Sequence, residues 1–485
     1  MEAKYKPIYL HEGQYLLSEL QNALNNSADI TKKLIAKIKE FGILRRIRKQ
    51  SSDKDISELA DADYVVTDTK DDDVYVVKFV GIVIVDSVVL ICYPKYLPRQ
   101  DPSKETVCQI FRVLAKYNNS TEQNLNMFDE NTDGMTNLLT VMLFLLHDYF
   151  ENGIYDNNKQ IIETNGSGEI FWDKTINETL ALLKNNRPYY TELKTRKHLS
   201  TVDSYFARLH KCVLNEISRD LFESGVSELL GIPEIMFDEE ERNCFGETEY
   251  ILYRLENELK EQFNTRKQHV LKALHSYIKC ENKYGDTDAF CMYGTNAFNM
   301  VWEKVCAEVF NNKLNTSISA IPEIYDKLQE KNTEKLIRII DKPVWHFENI
   351  PYDKVETLKP DIVCIESDKF IILDAKYYLL KNDGNKISGN PGIESITKQY
   401  LYNLAFQKYF DGKNINMQFE NYFVFPKFGK PPDGKTTVCF DIFKNEPLNL
   451  PDINVVFIEP EKLYVHYLNN ERVSFSKFIE AELGS

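Results

Sequence analysis

Residues 360–376 carry the sequence PDIVCIESDKFIILDAK, in which two apolar runs flank a short polar stretch. Residues 361–365 and 370–376 have the length and β-branched content of strands, and residues 366–369 have the polarity of a turn. This pattern predicts an antiparallel hairpin, in which Asp361 at the start of the first strand faces Asp374 near the end of the second. Because side chains alternate along a strand, Asp374 and Lys376 should point to the same face. Two carboxylates and an ammonium group are therefore expected at one edge of a sheet.

These three side chains match what metal-dependent phosphodiester hydrolysis requires. Mg²⁺, for which Mn²⁺ can substitute, prefers oxygen ligands and usually takes one or two carboxylates while it keeps several waters. A bound metal stabilises the charged transition state and lowers the pKa of a bound water, which Lys376 would position and help to deprotonate. The alternative is an ordinary hairpin with solvated charges. Against it, Asp374 follows four apolar residues of a strand that is predicted to be buried, where a charge without a role is costly.

The composition bounds the class of protein. The chain has 485 residues, of which 43% are hydrophobic and 27% charged, so two to four globular domains are expected. A net charge of −15 argues against broad, unassisted binding to nucleic acid, although it leaves room for a local basic channel or a partner that grips DNA. Nine cysteines without a C-x-x-C pair, a polar N-terminus and apolar runs too short for a bilayer favour a cytoplasmic protein without membrane contact.

The order of patterns predicts an α+β multidomain protein with three segments. Residues 1–104 form an N-terminal β-containing region, with a helical stretch at 12–49 that Gly42 ends and a two-strand unit at 74–93. Residues 105–285 form a mostly helical middle domain that includes a long amphipathic helix over residues 250–279. Residues 286–485 alternate between helix and strand, which indicates an α/β domain with a mixed central sheet.

Residues 360–376 resemble the motif of the PD-(D/E)xK nuclease superfamily, and the wider sequence resembles the McrC-like, LlaJI-type restriction endonuclease subunits. Further stretches that carry the resemblance are YGT at residues 293–295 with the helix up to Trp302 and Glu303, NGSGEIFW at 165–172, and residues 81–95. The resemblance implies a C-terminal restriction-endonuclease-like domain.

The activity that the resemblance implies is that of a Mg²⁺-dependent endonuclease subunit of a phage-defence restriction system. It would cut double-stranded DNA when a McrB-like AAA+ GTPase activates it. The N-terminal β-containing region would be the element that docks to this partner, and a dimer of such complexes remains open.

The resemblance also supplies two further site residues. An acidic residue on the helix before the hairpin often completes the metal site in this superfamily, which points to Glu303, with Glu308 as the alternative. The expected metal ligands are therefore Asp361, Asp374 and Glu303. Related nucleases also place a glutamine on the helix after the lysine strand, a position that Gln399 fits. The commoner Gln-x-x-x-Tyr spacing is not met, because Asn403 stands where the tyrosine is expected.

Residues 429–436, GKPPDGKT, match the letters of a phosphate-binding loop. That loop requires a helix after its Lys-Thr pair, whereas residues 437–443 have the pattern of a strand, and two prolines remove N–H donors. We therefore predict a β-hairpin loop with Lys427, Lys430 and Lys435 near DNA, and no nucleotide cofactor. Two rival functions stay open: a nucleotide hydrolase that uses this loop, and a non-catalytic nuclease-fold scaffold or DNA-binding adaptor in the same complex.

Overall fold

The chain divides into two compact units, one formed by residues 1–5 and 123–293 and the other by residues 6–122 and 294–485. The predicted division into three domains stays a prediction. The second unit contains most of two of the predicted domains, residues 1–104 and 286–485. The structure is a computed structural model that describes residues 7–24, 28–47, 74–85, 88–99, 102–120, 138–156, 159–185, 187–199, 205–237, 240–284, 290–328, 332–348, 350–353, 356–382, 387–427, 429 and 435–483.

The N-terminal part of the second unit is built on strands. Its elements are β1 (Ile8–His11), β2 (Gly13–Leu16), α1 (Leu17–Leu24), α2 (Ala28–Glu40), β3 (Leu44–Ile47), β4 (Val74–Val77), β5 (Val80–Val85), β6 (Val88–Tyr93) and α3 (Lys104–Ser120). The two-strand unit predicted at residues 74–93 is confirmed in part, because β5 and β6 form an antiparallel pair to which β1 adds in parallel. Its first predicted strand is divided, since β4 belongs to a separate sheet with β2 and β3.

The helical stretch predicted over residues 12–49 is wrong at both ends. The segments on either side of α1 and α2 are β2 and β3, which both pair antiparallel with β4. Strands of four residues are too short for the alternation of apolar and polar residues to be recognised in the sequence. Their conformation is decided by pairing with β4, which lies further along the chain. Gly42 lies just past α2 at a φ of +70°, and it ends the helix as predicted.

The first unit mixes helices with short strands. Its elements are α4 (Leu138–Asn152), β7 (Lys159–Thr164), β8 (Glu169–Ile170), α5 (Trp172–Glu178), β9 (Ala181–Lys184), β10 (Arg187–Tyr190), β11 (Lys194–Leu199), α6 (Tyr205–Glu223), α7 (Val226–Leu230), α8 (Thr248–Glu261) and α9 (Thr265–Tyr284). The mostly helical middle is therefore wrong for residues 159–199, whose strands form the sheets β7-β11-β8 and β10-β9. The sequence of β11, KTRKHL, has no apolar alternation that would have predicted a strand.

The long helix predicted over residues 250–279 is two helices. α8 ends at Glu261, and the side chain of Asn264 accepts a hydrogen bond from the backbone N–H of Lys267 at 3.1 Å, which starts α9 as a capping residue does. Phe263 lies between the two helices and is 91% exposed.

The C-terminal part of the second unit contains a five-stranded mixed sheet. Its elements are β12 (Phe290–Thr295), α10 (Phe298–Val309), α11 (Pro322–Tyr325), β13 (Val344–Phe347), β14 (Ile350–Asp353), β15 (Ile362–Glu366), β16 (Lys369–Ala375), β17 (Lys381–Asn382), β18 (Ile387–Ser388), α12 (Ile393–Gly412), β19 (Gln418–Pro426), β20 (Thr436–Val438), α13 (Asp441–Lys444), β21 (Ile453–Ile458), α14 (Pro460–Leu468) and α15 (Phe475–Leu483). The strand order is β15-β16-β19-β21-β20, with three parallel strands in the middle and an antiparallel strand at each edge. The predicted α+β fold with a mixed C-terminal sheet is thereby confirmed.

Helix α12 connects the parallel strands β16 and β19 and covers one face of the sheet. Phe370 and Ile372 of β16 are buried with Phe406 and Phe410 of α12 in one apolar cluster. Because alternate residues of a strand share a face, Asp374 continues this row toward the end of β16. None of the helices in the described part of the chain has the length and apolar content to cross a bilayer.

Gly294 provides a test of the packing around β12. A Cβ atom at this position would lie 2.2 Å from the carbonyl oxygen of Val80 and 2.6 Å from the Cα of Gly81, both backbone atoms that cannot rotate away. We expect Gly294→Ala to lower the free energy of unfolding by about 2–3 kcal/mol, measured by urea denaturation. The control is Gly412→Ala at the end of α12, where nothing lies within 4 Å and a change below about 1 kcal/mol is expected. Equal effects of the two substitutions would contradict this packing.

Candidate active site

The hairpin predicted over residues 360–376 is present as β15 and β16. Their register pairs Ile362 with Leu373 at one end and Glu366 with Lys369 at the other, with Ser367 and Asp368 in the turn. Ser367 takes a φ of +57°, which a two-residue hairpin turn requires. One step outward from the first pair are Asp361 and Asp374, so this register brings the two carboxylates to the same edge, as the sequence predicted.

Asp374 and Lys376 form an ion pair at this edge. The Nζ of Lys376 lies 3.0 Å from Oδ1 of Asp374. Asp374 is buried, whereas Asp361 is exposed. Burial raises the pKa of Asp374 well above its ordinary value, the charge of Asp361 and a hydrogen bond with it raise the pKa further, and Lys376 acts in the opposite direction. The two carboxylates therefore repel one another when both are ionised, and a further positive charge nearby would reduce this repulsion.

The charge on Lys376 is maintained by the same carboxylates. Burial lowers the pKa of the Lys376 ammonium, but Asp374 and then Asp361 raise it by more, so the pKa stands above its ordinary value. Lys376 is thus a fixed cation, held beside the carboxylates.

Glu303, on α10, belongs electrostatically to the same group. Burial raises the pKa of Glu303 to about 7, the charge of Asp361 contributes to this rise, and Lys376 counteracts it. Glu308, the alternative, instead pairs with Lys304 at 3.0 Å. Of the two glutamates, Glu303 is the one that the charges of Asp361 and Lys376 reach.

One carbonyl group holds α10 and the end of β16 in place. The backbone oxygen of Val424, in β19, accepts a hydrogen bond from the backbone N–H of Lys376 at 2.9 Å and another from Nε1 of Trp302 at 3.4 Å. Trp302 is fully buried and precedes Glu303 on α10. The Val424 carbonyl therefore binds Lys376 itself and Trp302, the residue before Glu303, and so holds both parts of the predicted site.

Gln399 is fully buried, and its side chain ties α12 to the sheet. Its Nε2 donates a hydrogen bond to the carbonyl oxygen of Ile372 at 3.1 Å. Among the described residues, its Oε1 has no hydrogen-bond partner, and neither do the amide atoms of Asn403, one turn further along α12. The role of Gln399 in lining the site stays a prediction, and its position indicates a link between helix and strand.

Two residues near the carboxylates were missed by the sequence analysis. Asn312, just after α10, donates from Nδ2 to the carbonyl oxygen of Asp361 at 2.9 Å and accepts the N–H of Val363 at 3.1 Å through Oδ1. Tyr402, on α12, packs against the apolar cluster under the sheet, and its pKa is raised to about 12 by burial and then by the charges of Asp361 and Asp374. The sequence offered no signal for Asn312, because the left-handed position after α10, where asparagine is favoured, is taken by Asn311.

The lysines predicted to contact DNA have different surroundings. Lys427 pairs with Glu459 at 2.5 Å, Lys435 is exposed, and Lys430 lies outside the described residues. The strand predicted over residues 437–443 is confirmed only at its start, because β20 (Thr436–Val438) pairs with β21 and Asp441–Lys444 form α13. The predicted β-hairpin loop is wrong, because β19 and β20 on either side of it each pair with β21 and not with each other. A strand directly after Lys435 does not provide the helix N-terminus that a phosphate-binding loop requires.

Among the described residues, no group of three or more His, Cys, Asp or Glu side chains has an arrangement that would hold a metal ion as it stands. The donor set at the hairpin nevertheless fits Mg²⁺. Asp361 and Asp374 supply the one or two carboxylates that this ion commonly takes in proteins. Burial and then the charge of Asp361 raise the pKa values of Asp374 and Glu303, so a cation bound beside them would favour their ionised forms.

The model of the LlaJI restriction endonuclease family matches residues 79–461, which include the hairpin, α10 and α12. The chain belongs to the LlaJI restriction endonuclease family. The chain is similar to the type II restriction enzyme BsuMI component YdjA of Bacillus subtilis strain 168. The two are 29% identical over 420 residues, which cover 82% of each chain.

Two solved structures of Thermococcus gammatolerans proteins also resemble this member of the LlaJI family. The first is a half-complex of McrB AAA+ hexamers with bound McrC, with 14% identity, 96% of this chain and 100% of the other covered, and a TM-score of 0.36. The second is the McrBC complex, with 15% identity, 62% and 85% covered, and a TM-score of 0.24.

The crowded carboxylates make the stability of the metal-free protein depend on pH. Because the pKa of Asp374 is raised in the folded state, its contribution to stability is present below the ordinary Asp range near about pH 4 and is lost as the pH rises through the raised pKa. In EDTA, we expect the free energy of unfolding of the wild type to fall between pH 5 and pH 8, and that of Asp374→Asn to fall less, by at least about 1 kcal/mol.

The matched control for this pH dependence is Asp368→Asn, at the exposed turn of the same hairpin. It should follow the wild type at every pH in urea denaturation. If Asp374→Asn and the wild type had parallel pH profiles, Asp374 would not be held among repelling charges.

Proposed function

We propose that this chain is the nuclease subunit of a restriction system, and that it hydrolyses phosphodiester bonds of double-stranded DNA with Mg²⁺. One observation carries the proposal: in a member of the LlaJI restriction endonuclease family, a hairpin brings Asp374 and Lys376 within 3.0 Å of each other beside Asp361. The order of these residues, and their place at the end of a buried strand, are those of the PD-(D/E)xK motif that the sequence resembles.

The carboxylates would hold the metal. Asp361 and Asp374 would be the first two ligands, and Glu303, whose pKa is raised by burial and then by the charge of Asp361, would be the third. When bound, Mg²⁺ supplies positive charge at the scissile phosphate and acidifies a bound water. Without a bound cation, Asp374 and Glu303 are protonated more readily than ordinary carboxyl groups, because burial and then the charge of Asp361 raise their pKa values.

Lys376 and Glu303 then divide the remaining work. The Lys376 ammonium, fixed beside Asp374, orients the attacking water and offsets charge on the phosphate. Glu303, with its pKa raised to about 7, either completes the ligand set or accepts the proton of that water, since a group with such a pKa exchanges protons near neutral pH.

We also propose that an AAA+ GTPase partner activates cleavage. This follows from the sequence resemblance to McrC-like subunits, and the net charge of −15 disfavours strong binding to DNA by the chain alone. The name of the Bacillus subtilis relative describes that protein as one component of an enzyme. A partner that docks on the N-terminal β-containing region would act on the compact unit that also contains β15 and β16.

The direct test is cleavage of plasmid DNA with Mg²⁺, the AAA+ partner and GTP. We expect Asp374→Ala and Lys376→Ala to lower the cleavage rate by at least about 10²–10³-fold, the range for removing one group that stabilises transition-state charge. The controls lie at the other end of the same hairpin: Asp368→Ala in the exposed turn, and Lys369→Ala, whose ammonium pairs with Glu420 at 3.0 Å. Both should cut like the wild type. Cleavage by Asp374→Ala and Lys376→Ala at the wild-type rate would instead favour a non-catalytic scaffold.

The third carboxylate is tested with a pair of glutamine substitutions on α10. Glu303→Gln should lower the cleavage rate and raise the Mg²⁺ concentration needed for half-maximal cleavage, because it removes a charge from the metal site. Glu308→Gln removes only the partner of Lys304 and should do neither. The reverse result would move the metal site toward Glu308.

Residues 429–436 give a separate test of where GTP acts. The isolated chain should not bind GTP in equilibrium dialysis, and Lys435→Ala should leave the GTP dependence of cleavage by the complex unchanged, because β20 follows this loop directly. GTP binding by the isolated wild-type chain that Lys435→Ala abolishes would support the nucleotide hydrolase instead.

A further inference from the structure

Tyr377 directly follows Lys376, and its hydroxyl group is bound to the N-terminal part of the same compact unit. The hydroxyl donates a hydrogen bond to Oε2 of Glu12 at 2.6 Å. The backbone N–H of Lys95 donates to the same carboxylate oxygen at 3.2 Å and to the Tyr377 oxygen at 3.3 Å. All three residues are buried, and we call them the Glu12 cluster. Because Lys95 and Tyr377 are 282 residues apart in the sequence, the cluster joins two distant regions of the chain.

The N-terminal side of the Glu12 cluster is itself held rigidly. The backbone N–H of Glu12 donates to the carbonyl oxygen of Tyr93 at 2.9 Å. Nε2 of His11 lies 3.1 Å from the carbonyl oxygen of Lys95 and 2.9 Å from that of Leu97. Burial lowers the pKa of His11 to about 4, so the ring is neutral at pH 7 and its Nε2–H is the donor to these carbonyls. The loop after β6 therefore has a fixed position relative to β1.

The other side of the Glu12 cluster touches the elements of the candidate active site. The ring of Tyr377 packs against Phe298, the first residue of α10, with ring centroids 5.3 Å apart. The Lys95 Nζ lies 4.7 Å from the centroid of the Tyr377 ring. Burial and then the charge of Glu12 raise the pKa of the Tyr377 hydroxyl far above its ordinary value, so it keeps its proton and remains a donor to Glu12.

We propose that Tyr377, anchored by Glu12, is a positioning residue that holds Lys376 beside Asp374. The inference rests on the proposed function of Lys376. Strand β16 ends at Ala375, and the backbone of Lys376 is fixed on one side by its N–H bond to Val424. The Tyr377 side chain supplies the second anchor, on the next residue. These two anchors fix the backbone on both sides of the Lys376 side chain, and so fix the direction in which that side chain points.

This arrangement joins the N-terminal β-containing region to the reacting group. Movement of β1 or of the loop at residues 94–97 would pull on Glu12 and Lys95, and hence on Tyr377 and the adjacent lysine. A partner that docks on the N-terminal region thus has a short covalent and hydrogen-bonded route to Lys376.

The test compares two buried tyrosines with and without their hydroxyl groups. Tyr377→Phe removes the bond to Glu12 and keeps the ring. Tyr96→Phe is the matched control, because the Tyr96 hydroxyl is also buried and lies 3.0 Å from that of Tyr464, and in the described part of the chain it makes no hydrogen bond to β16. The substitution keeps the Tyr96 ring, which packs edge-on against that of Tyr377 at 6.2 Å between centroids. Two readouts are taken on the full-length chains: the rate at which acetic anhydride acetylates Lys376, followed by peptide mass spectrometry, and the cleavage rate at saturating DNA and Mg²⁺ in the activated complex.

We expect Tyr377→Phe to raise the acetylation rate of Lys376 several-fold and to lower the saturating cleavage rate about tenfold or more, because misplacement by a fraction of an ångström is costly for a reacting group. Tyr96→Phe should change neither. Glu12→Ala should behave like Tyr377→Phe, and Glu12→Gln, which keeps an acceptor oxygen for both donors, should restore much of both. Thermal unfolding midpoints of the two Phe variants are compared to separate this effect from loss of the fold.

Equal acetylation of Lys376 in Tyr377→Phe and Tyr96→Phe would overturn the positioning role, whatever the cleavage rates. The acetylation readout needs no catalysis, so it remains decisive if the wild type does not cut DNA. In that case the proposed function fails because the wild type itself does not cut DNA, and the position of Lys376 is still judged separately.

Discussion

The arrangement depends on the cost of placing the Asp374 carboxylate inside the protein beside another carboxylate. Asp374 is buried, Asp361 stands next to it in the hairpin register, and Lys376 is the cation at 3.0 Å. A buried carboxylate with one lysine and a second carboxylate for neighbours is a poor choice for stability alone. A divalent cation at the same edge would stabilise both carboxylates in their ionised forms. The electrostatics of this hairpin therefore fit a metal site better than a structural ion pair.

The surrounding fold fixes the directions of these charges. The Val424 carbonyl binds the backbone of Lys376 and the indole of Trp302, so β19 sets the distance between the lysine strand and the helix that carries Glu303. Asn312 holds the start of β15 at Asp361, and Gln399 holds α12 against Ile372. The site is thus formed by backbone positions that parallel strands and their crossover helix impose, and by a tyrosine that extends the support to the N-terminal region.

The sequence predicted the hairpin well because apolar runs, a polar turn and strand alternation are local signals that lie within 17 residues. It also predicted the mixed C-terminal sheet, but of the strand predicted over residues 437–443 only the start is present. It failed where distant pairing or a single cap decides the conformation: β2 and β3 depend on β4, the charged strand β11 depends on β7, and Asn264 divides a helix whose apolar stripe looked continuous. Asn312 and Tyr377 could not be identified, because their roles arise from contacts with residues remote in the sequence.

The central claim is that Asp361 and Asp374 together hold a divalent cation. The most direct measurement is anomalous diffraction from crystals of the full-length chain soaked in Mn²⁺. The account predicts an anomalous peak within coordination distance of both carboxylates, and its loss in crystals of Asp374→Asn that retain the wild-type fold. A Mn²⁺ peak elsewhere in the chain, with none between Asp361 and Asp374 in a protein that cuts DNA, would contradict it.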